Sequence, residues 1–196
     1  MDLSVIIPSY NEERNVGIMH ERLTKTLSEI TDSYEMIFVN DCSKDQTLLR
    51  IKELAERDSH VKYLSFSRNF GHQIAVSAGL DFCTGEAVVI IDGDLQDPPE
   101  LISKMYERYK EGYKVVYAKR KTREGETWFK KATAKIFYRL LASMTSIDIP
   151  VDVGDFRLID RVIVEHLRNM PEKSKYIRGQ IAWIGYKQTF VEYHRD

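Results

Sequence analysis

The chain has 196 residues, 43% hydrophobic and 30% charged, with a formal net charge of −1 and two cysteines. That is enough for one well-buried domain of ordinary soluble composition. It is not basic enough overall for a nucleic-acid-binding domain, and its longest apolar run, residues 87–91, is far too short to cross a bilayer. No basic, apolar leader opens the sequence, and Cys42 and Cys83 lack metal-type spacing, so reduced thiols are expected. The charge is unevenly spread. Residues 1–100 hold 9 Lys and Arg against 18 Asp and Glu, whereas residues 101–196 hold 20 against 12. A carboxylate-rich half suits a bound cation, and a basic half suits phosphates or an anionic surface.

Residues 3–8 form an apolar, β-branched run that reads as a buried strand stopping at Pro8. Val16, Met19, Leu23, Leu27 and Ile30 recur at helical spacing and predict a helix to about residue 30. Residues 35–39 read as a second strand closing on Asn40 and Asp41. Ser43 followed by Gln46 has the capping-box pattern, which predicts the start of the next helix there and its end near Arg57. Residues 61–66 are a third strand, and a helix of small residues follows through Ala75, Ala78 and Gly79.

Residues 87–92 are a fourth strand, apolar until it ends in Asp92, Asp94 and Asp97 with Gln96 among them. Pro98 and Pro99 suit the first turn of a helix to about residue 111. A fifth strand is expected at 113–118 and an amphipathic helix at 126–144. Residues 119–139 carry eight basic and two acidic side chains. Residues 152–159 read as a turn into a short strand, Asp160 suits a helix N-cap, and residues 186–193 alternate as a last strand.

Strands alternating with helices predict a mostly parallel α/β sheet flanked by helices, in a single domain. Ligands of such sheets bind at the carboxyl ends of the strands. Those ends here carry Tyr10, Asn11, Glu12, Asp41, Arg68 and the 92–97 cluster. Clustered carboxylates repel, and a divalent cation relieves that cost most simply; oxygen-only ligands point to Mg²⁺ or Mn²⁺ rather than zinc. The glycine-rich loop of a dinucleotide-binding fold and the phosphate loop of a nucleotide triphosphatase are both missing from the first strand end.

The segments Val5-Ile-Ile-Pro-Ser-Tyr-Asn-Glu12, Val39-Asn-Asp41 with Ser43 and Asp45, Ser67-Arg-Asn-Phe-Gly71, Asp92-Gly-Asp-Leu-Gln-Asp-Pro-Pro-Glu100 and Gly154-Asp-Phe-Arg-Leu158 resemble family 2 glycosyltransferases of the GT-A (Rossmann-like) fold. More narrowly they are similar to the polyprenyl-phosphate group that contains dolichol-phosphate mannose synthase and the bactoprenol glucosyltransferases. The second motif of that group usually reads Asp-Asp-Gly-Ser; the chain has Asn40 in the first place, so the acid is assigned to Asp41.

The resemblance implies an inverting transfer from a nucleoside-diphosphate sugar, with UDP favoured, to undecaprenyl or dolichyl phosphate at the cytoplasmic face of a membrane. Pro8, Tyr10, Asn11, Glu12, Asp41, Asp92, Gly93, Asp94 and Arg120 would hold the nucleotide sugar. Asp94 and Gln96, with Asp92 as a third choice, would hold Mg²⁺ or Mn²⁺. Asp155 and Asp94 would serve catalysis, with Asp155 on the acceptor side. Arg123, Lys131, Lys135 and Arg178 are expected to meet the acceptor phosphate. Residues 1–100 would be the nucleotide-sugar and metal half and 101–196 the acceptor half, with a membrane region expected to follow Asp196 and a homo-oligomer left open. The competing readings are a family 2 enzyme acting on a sugar hydroxyl in surface-polysaccharide synthesis and a non-catalytic sugar-nucleotide-binding protein.

Overall fold

A computed structural model describes residues 1–121, 153–172 and 175–193. The predicted helix at 126–144 and the basic residues Arg123, Lys131 and Lys135 lie outside the described residues, as does His194. Among the described residues the sheet has seven strands: β1 (Leu3–Ser9), β2 (Tyr34–Asn40), β3 (Val61–Ser65), β4 (Ala87–Ile90), β5 (Val115–Arg120), β6 (Val153–Asp160) and β7 (Gln188–Tyr193). Their spatial order is β3-β2-β1-β4-β6-β5-β7. The first four run parallel, and β7 is parallel to β5. Among these strands β6 alone is antiparallel to its two neighbours, β4 and β5.

Among the described residues six helices cover the faces: α1 (Val16–Ser28), α2 (Thr47–Arg57), α3 (His72–Phe82), α4 (Leu101–Lys110), α5 (Arg161–Asn169) and α6 (Ile177–Ile184). Strand side chains alternate between faces. Val5, Ile7, Met36, Phe38 and Val89 therefore pack with α1, α2 and α4, while Ile6, Ile37, Val39, Val88 and Ile90 pack with α3, α5 and α6. Strands β1, β2 and β4 are buried along their whole length, as a sheet covered on both faces requires. Asp160 caps α5 as expected, its side chain accepting from the Val162 N–H at 2.9 Å.

The second helix begins later than the capping-box pattern predicts. Ser43 Oγ accepts from the Asn11 N–H at 3.0 Å, across the two loops, and Cys42 before it adopts a left-handed φ of 56°. The Thr47 N–H donates to Asp45 at 3.0 Å, and α2 starts at Thr47 with Gln46 at its N-cap.

Below the sheet, opposite the functional end, Glu35 is fully buried. It accepts from Ser4 Oγ, from the Thr84 N–H and hydroxyl, and from Lys62 Nζ at 2.6 Å. Burial pushes its carboxyl up, but these four donors outweigh that and hold it below the ordinary carboxylate value. A folded-state pKa lowered in this way adds stability above about pH 4.3, the unfolded value, and that stability is lost as pH falls through the folded pKa. Acid unfolding followed by circular dichroism should therefore begin at higher pH in Glu35→Gln, which has no charge to contribute, with a flatter pH dependence below about pH 5.

Candidate active site at the carboxyl ends of the strands

The first two strand ends are laced together. Beyond the Asn11–Ser43 bond, Asn11 Oδ1 accepts from the Lys44 N–H at 2.8 Å, the Glu12 N–H donates to Thr47 Oγ1 at 2.7 Å, and the Glu13 N–H donates to Asp45 at 3.2 Å. Asn11 itself sits at a φ of 59° and is exposed, so it shapes the loop rather than the cleft wall. Asp41 is 4% exposed and accepts from the Phe70 and Gly71 N–H groups at 2.7 and 2.8 Å. Gly71 needs its φ of 93° to turn the chain into α3.

A cleft of about 310 Å³ opens above these loops. Pro8, Tyr10, Glu12, Asp41, Asp92, Gly93 and Asp94 line it, with Asn69 and His72 from the loop before and the first residue of α3. Gly93 sits in a tight contact: a Cβ there would lie 3.1 Å from the Pro8 carbonyl oxygen, and the neighbouring backbone would have to give by a few tenths of an ångström. A glycine between the two aspartates thus lets their loop cross closely over the end of β1. Asp94 accepts from the Gln96 N–H at 3.0 Å across Leu95, whose φ is 61°. Burial raises the Glu12 carboxyl above its ordinary value, against the Asn15 hydrogen bond, and the charges of Asp94, Asp45 and Asp92 push it the same way. The cleft is therefore a region of excess negative charge.

Whether these residues fit a divalent cation turns on donor chemistry. Among the described residues no group of three or more His, Cys, Asp or Glu is gathered for a metal. Gln96 is exposed and is not among the cleft-lining residues. Asp92 and Asp94 remain as two carboxylates on one wall. That is a poor site for a metal enclosed by protein alone, but it suits Mg²⁺ or Mn²⁺, which bind through one or two carboxylates and take their other oxygens from substrate phosphates and water.

Beside the cleft, but not among its lining residues, Asp155 Oδ1 of β6 is 3.1 Å from Arg178 Nη2 of α6 and 3.4 Å from Arg157 Nη2. Arg157 is buried, which pulls its pKa down to about 10, and it also donates to the Gly154 and Asp155 carbonyl oxygens. His72 Nε2 donates to Asp92 Oδ1 at 2.7 Å. That bond raises the imidazole pKa, against burial. Nothing local in the sequence points from His72 to Asp92, 20 residues on.

Asp97, the last carboxylate of the 92–97 cluster, is not among the cleft-lining residues; it is 3% exposed and accepts from Arg120 Nη2 at 3.1 Å and from the Tyr193 hydroxyl. Tyr193 also accepts from Arg120 Nε at 2.8 Å. Arg120 is thus committed to a buried acid and a tyrosine and is not among the cleft-lining residues. Burial, followed by the Asp97 bond, pushes the Tyr193 hydroxyl up to about 12, so it stays a proton donor.

The sheet order, the acidic cleft at the parallel strand ends and the absence of a glycine-rich phosphate loop define a GT-A glycosyltransferase domain. Residues 4–168 match the family described as Glycosyl transferase family 2. The chain belongs to that family. It is 52% identical over 193 residues to an uncharacterized glycosyltransferase, YkcC, of Bacillus subtilis (strain 168), covering 98% of this chain and 60% of the relative. It is 40% identical over 195 residues to a prophage bactoprenol glucosyl transferase homolog of Escherichia coli (strain K12), covering 100% and 64%. The chain therefore spans a little over 60% of the length of these curated relatives. Glucosyl-3-phosphoglycerate synthase of Mycobacterium tuberculosis, solved with Mn²⁺, UDP and phosphoglyceric acid, superposes with a TM-score of 0.71 at 18% identity, covering 99% of this chain and 69% of that one; at that identity the likeness is one of fold.

Proposed function

We propose that the domain moves a sugar from a UDP-sugar to a polyprenyl phosphate at the cytoplasmic face of a membrane, with inversion at the anomeric carbon. The observation that carries the reading is the pairing of an acidic cleft, fit for a metal-bound diphosphate, with an arginine-bearing wall at Asp155. Relatives named as bactoprenol glucosyl transferases at about 40% identity support the acceptor. No described helix is long and apolar enough to cross a membrane.

Pro8, Tyr10, Glu12 and Asp41 would hold the nucleotide. Asp92 and Asp94 would hold the cation, and Gln96 could join them only if its loop turned inward. When bound, Mg²⁺ or Mn²⁺ would supply Lewis-acid neutralisation of the departing diphosphate. Arg178 spends Nη2 on Asp155, and its Nε is buried without a hydrogen-bond partner among the described residues, so only the outer edge of the guanidinium could meet the acceptor phosphate. A phosphate is already ionised near neutrality, with a second pKa of about 6, so it needs no general base. Asp155 is placed accordingly: Oδ1 is taken by two guanidinium groups and Oδ2 lies 3.9 Å from His72 Nδ1. Its role is to orient Arg178 and Arg157.

The test is incubation of UDP-[¹⁴C]glucose, Mn²⁺ and undecaprenyl phosphate with the protein. Label in the lipid phase supports the reading. A water-soluble glycoside formed with a sugar acceptor instead would favour transfer to a hydroxyl, and donor binding without any product would favour a sugar-nucleotide-binding protein. Asp155→Asn should keep transfer to the phosphate acceptor within about tenfold of the wild type, whereas loss of a general base would cost roughly 10²–10⁴-fold.

A further inference from the structure

Helix α6 turns Ile177, Ile181 and Ala182 onto the domain, where all three are buried. Its outer side carries aromatic surface instead. Tyr176, at the N-cap, is 56% exposed, and Trp183 is 67% exposed, more than any other large hydrophobic side chain among the described residues. Two helical turns separate them, so both project from one side of α6, about 10 Å apart along its axis. Gly179 and Gln180 lie between them on that side and carry no charge. The Tyr176 ring lies close against the helix, since a Cβ at Gly179 would be 2.5 Å from Tyr176 Cδ1. Beside Trp183 opens a recess of about 470 Å³, walled by Met170, Pro171, Ile184 and Tyr186 together with His166 and Asn169. Charge adds a second, independent signal. Residues 173–191 hold four basic side chains and no acidic one. Glu165 of the neighbouring α5 is paired with Arg161 and Arg168 at 3.5 and 2.8 Å, which offsets its charge.

We propose that α6 is the element that rests on an anionic lipid surface, with Tyr176 and Trp183 seated among the headgroups and the helix axis along the surface. Tyrosine and tryptophan settle at the headgroup level, where their rings meet apolar chains and their polar edges meet water, and lysine and arginine are drawn to anionic lipid. A protein partner fits less well, because one exposed side of an eight-residue helix falls far short of the roughly 800 Å² per side that a stable interface buries. The same helix reaches the cleft. Arg178 in its first turn is bonded to Asp155, and Gln73 Oε1 accepts from the Ile177 N–H at 3.4 Å, which ties that turn to the start of α3. Seated in this way, α6 brings one flank of the cleft to the headgroup plane, so a lipid phosphate would meet Arg178 while its chain stays in the membrane. That consequence rests on the glycosyl-transfer reading; the seating of α6 does not.

The test is made first without any sugar donor. Trp128 and Trp183 are the two tryptophans of the chain, so Trp128→Phe leaves Trp183 as the only indole emitter. On vesicles of phosphatidylcholine with about one-third phosphatidylglycerol, Trp183 emission should move to shorter wavelength and be quenched by lipids brominated high on their acyl chains. In vesicle sedimentation the unsubstituted chain should partition about tenfold more strongly onto these vesicles than onto phosphatidylcholine alone, and less so as salt is raised. Trp183→Ser and Tyr176→Ser should each lower that partitioning by about three- to tenfold, with Tm unchanged. An absence of vesicle binding, or binding that both serine variants leave intact, would overturn the proposal. So would a dimer that depends on Trp183 and forms in place of vesicle binding, which would make this side of α6 an interface between copies. Transfer is then read with UDP-glucose, Mn²⁺ and undecaprenyl phosphate in the same vesicles. Trp183→Ser should raise KM for the lipid while the calorimetric Kd for UDP stays within about threefold. If the unsubstituted chain seats Trp183 in the vesicles but transfers no sugar, the seating of α6 stands and the glycosyl-transfer reading fails.

Discussion

Asp94→Ala is expected to remove the metal dependence of donor binding and to lower kcat/KM for transfer by about 10²–10³-fold, the scale of losing one preorganised electrostatic contact to a departing anion. Asp94 lines the cleft, and its charge is felt at Glu12. It also accepts from the Gln96 N–H, holding Leu95 in its left-handed turn. Alanine removes both functions, so the informative partner is Asp94→Asn. The amide oxygen can still accept that N–H, and only the charge is lost. Calorimetry of UDP with and without Mn²⁺ separates the outcomes. If both variants lose the Mn²⁺-dependent gain in affinity, Asp94 binds through its charge. If Asn keeps the gain, the contribution is to loop shape, and if both keep it, the cation is held elsewhere.

Asp97→Ala should act mainly through stability. Two donors, Arg120 and Tyr193, converge on this nearly buried carboxylate. Deleting it leaves a tyrosine hydroxyl and part of a guanidinium without their acceptor. A loss of about 3 kcal/mol is expected, below the full cost of breaking a buried pair because the Arg120 side chain is partly exposed. For a domain of this size that is a fall in Tm of roughly 6–12 °C. Tyr193→Phe should cost less, and the double variant should be less destabilised than the sum of the two, with a coupling of about 0.5–3 kcal/mol. Additive losses would mean that Tyr193 and Asp97 act independently. Asp97 lies only three residues beyond Asp94, so UDP affinity in the presence of Mn²⁺ should weaken too, but by less than in Asp94→Ala.

The parallel half of the sheet was legible because its signals are local. Apolar runs at 3–8, 35–39 and 87–92 can be buried only as central strands, and the helical spacing from Val16 to Leu27 has one reading. The failures fall where a residue's partner is remote in sequence. Ser43 has a capping-box pattern, but its hydroxyl is claimed by the Asn11 N–H, 32 residues away. Asp97 precedes a Pro-Pro helix start, which invites a local role, but it answers to Arg120 and to Tyr193, 96 residues on. Glu35 stands at the start of an apolar strand as an acid with no visible purpose until pairing brings Ser4 beside it. His72 takes its meaning from the fold, which sets the start of α3 beside the end of β4 so that Nε2 reaches Asp92, 20 residues on. The carboxylates of the cleft were found because their chemistry is repetitive; the groups that orient them were missed because each belongs to a different element.

The bond between Asp97 and Tyr193 also bears on when the domain becomes competent. Chains are made from the amino terminus and fold as they emerge. Strands β1 to β4 can pair and bury their core with the first ninety or so residues, so the donor cleft can take shape early. Its acidic loop, however, is latched by a side chain of the seventh strand, a contact of high sequence separation that is slow to form and late to be rewarded. A nascent chain would thus carry a folded but unlatched site until β7 docks beside β5. Nucleotide affinity measured on ribosome-arrested chains of increasing length should rise in two steps, the second as Tyr193 clears the exit tunnel.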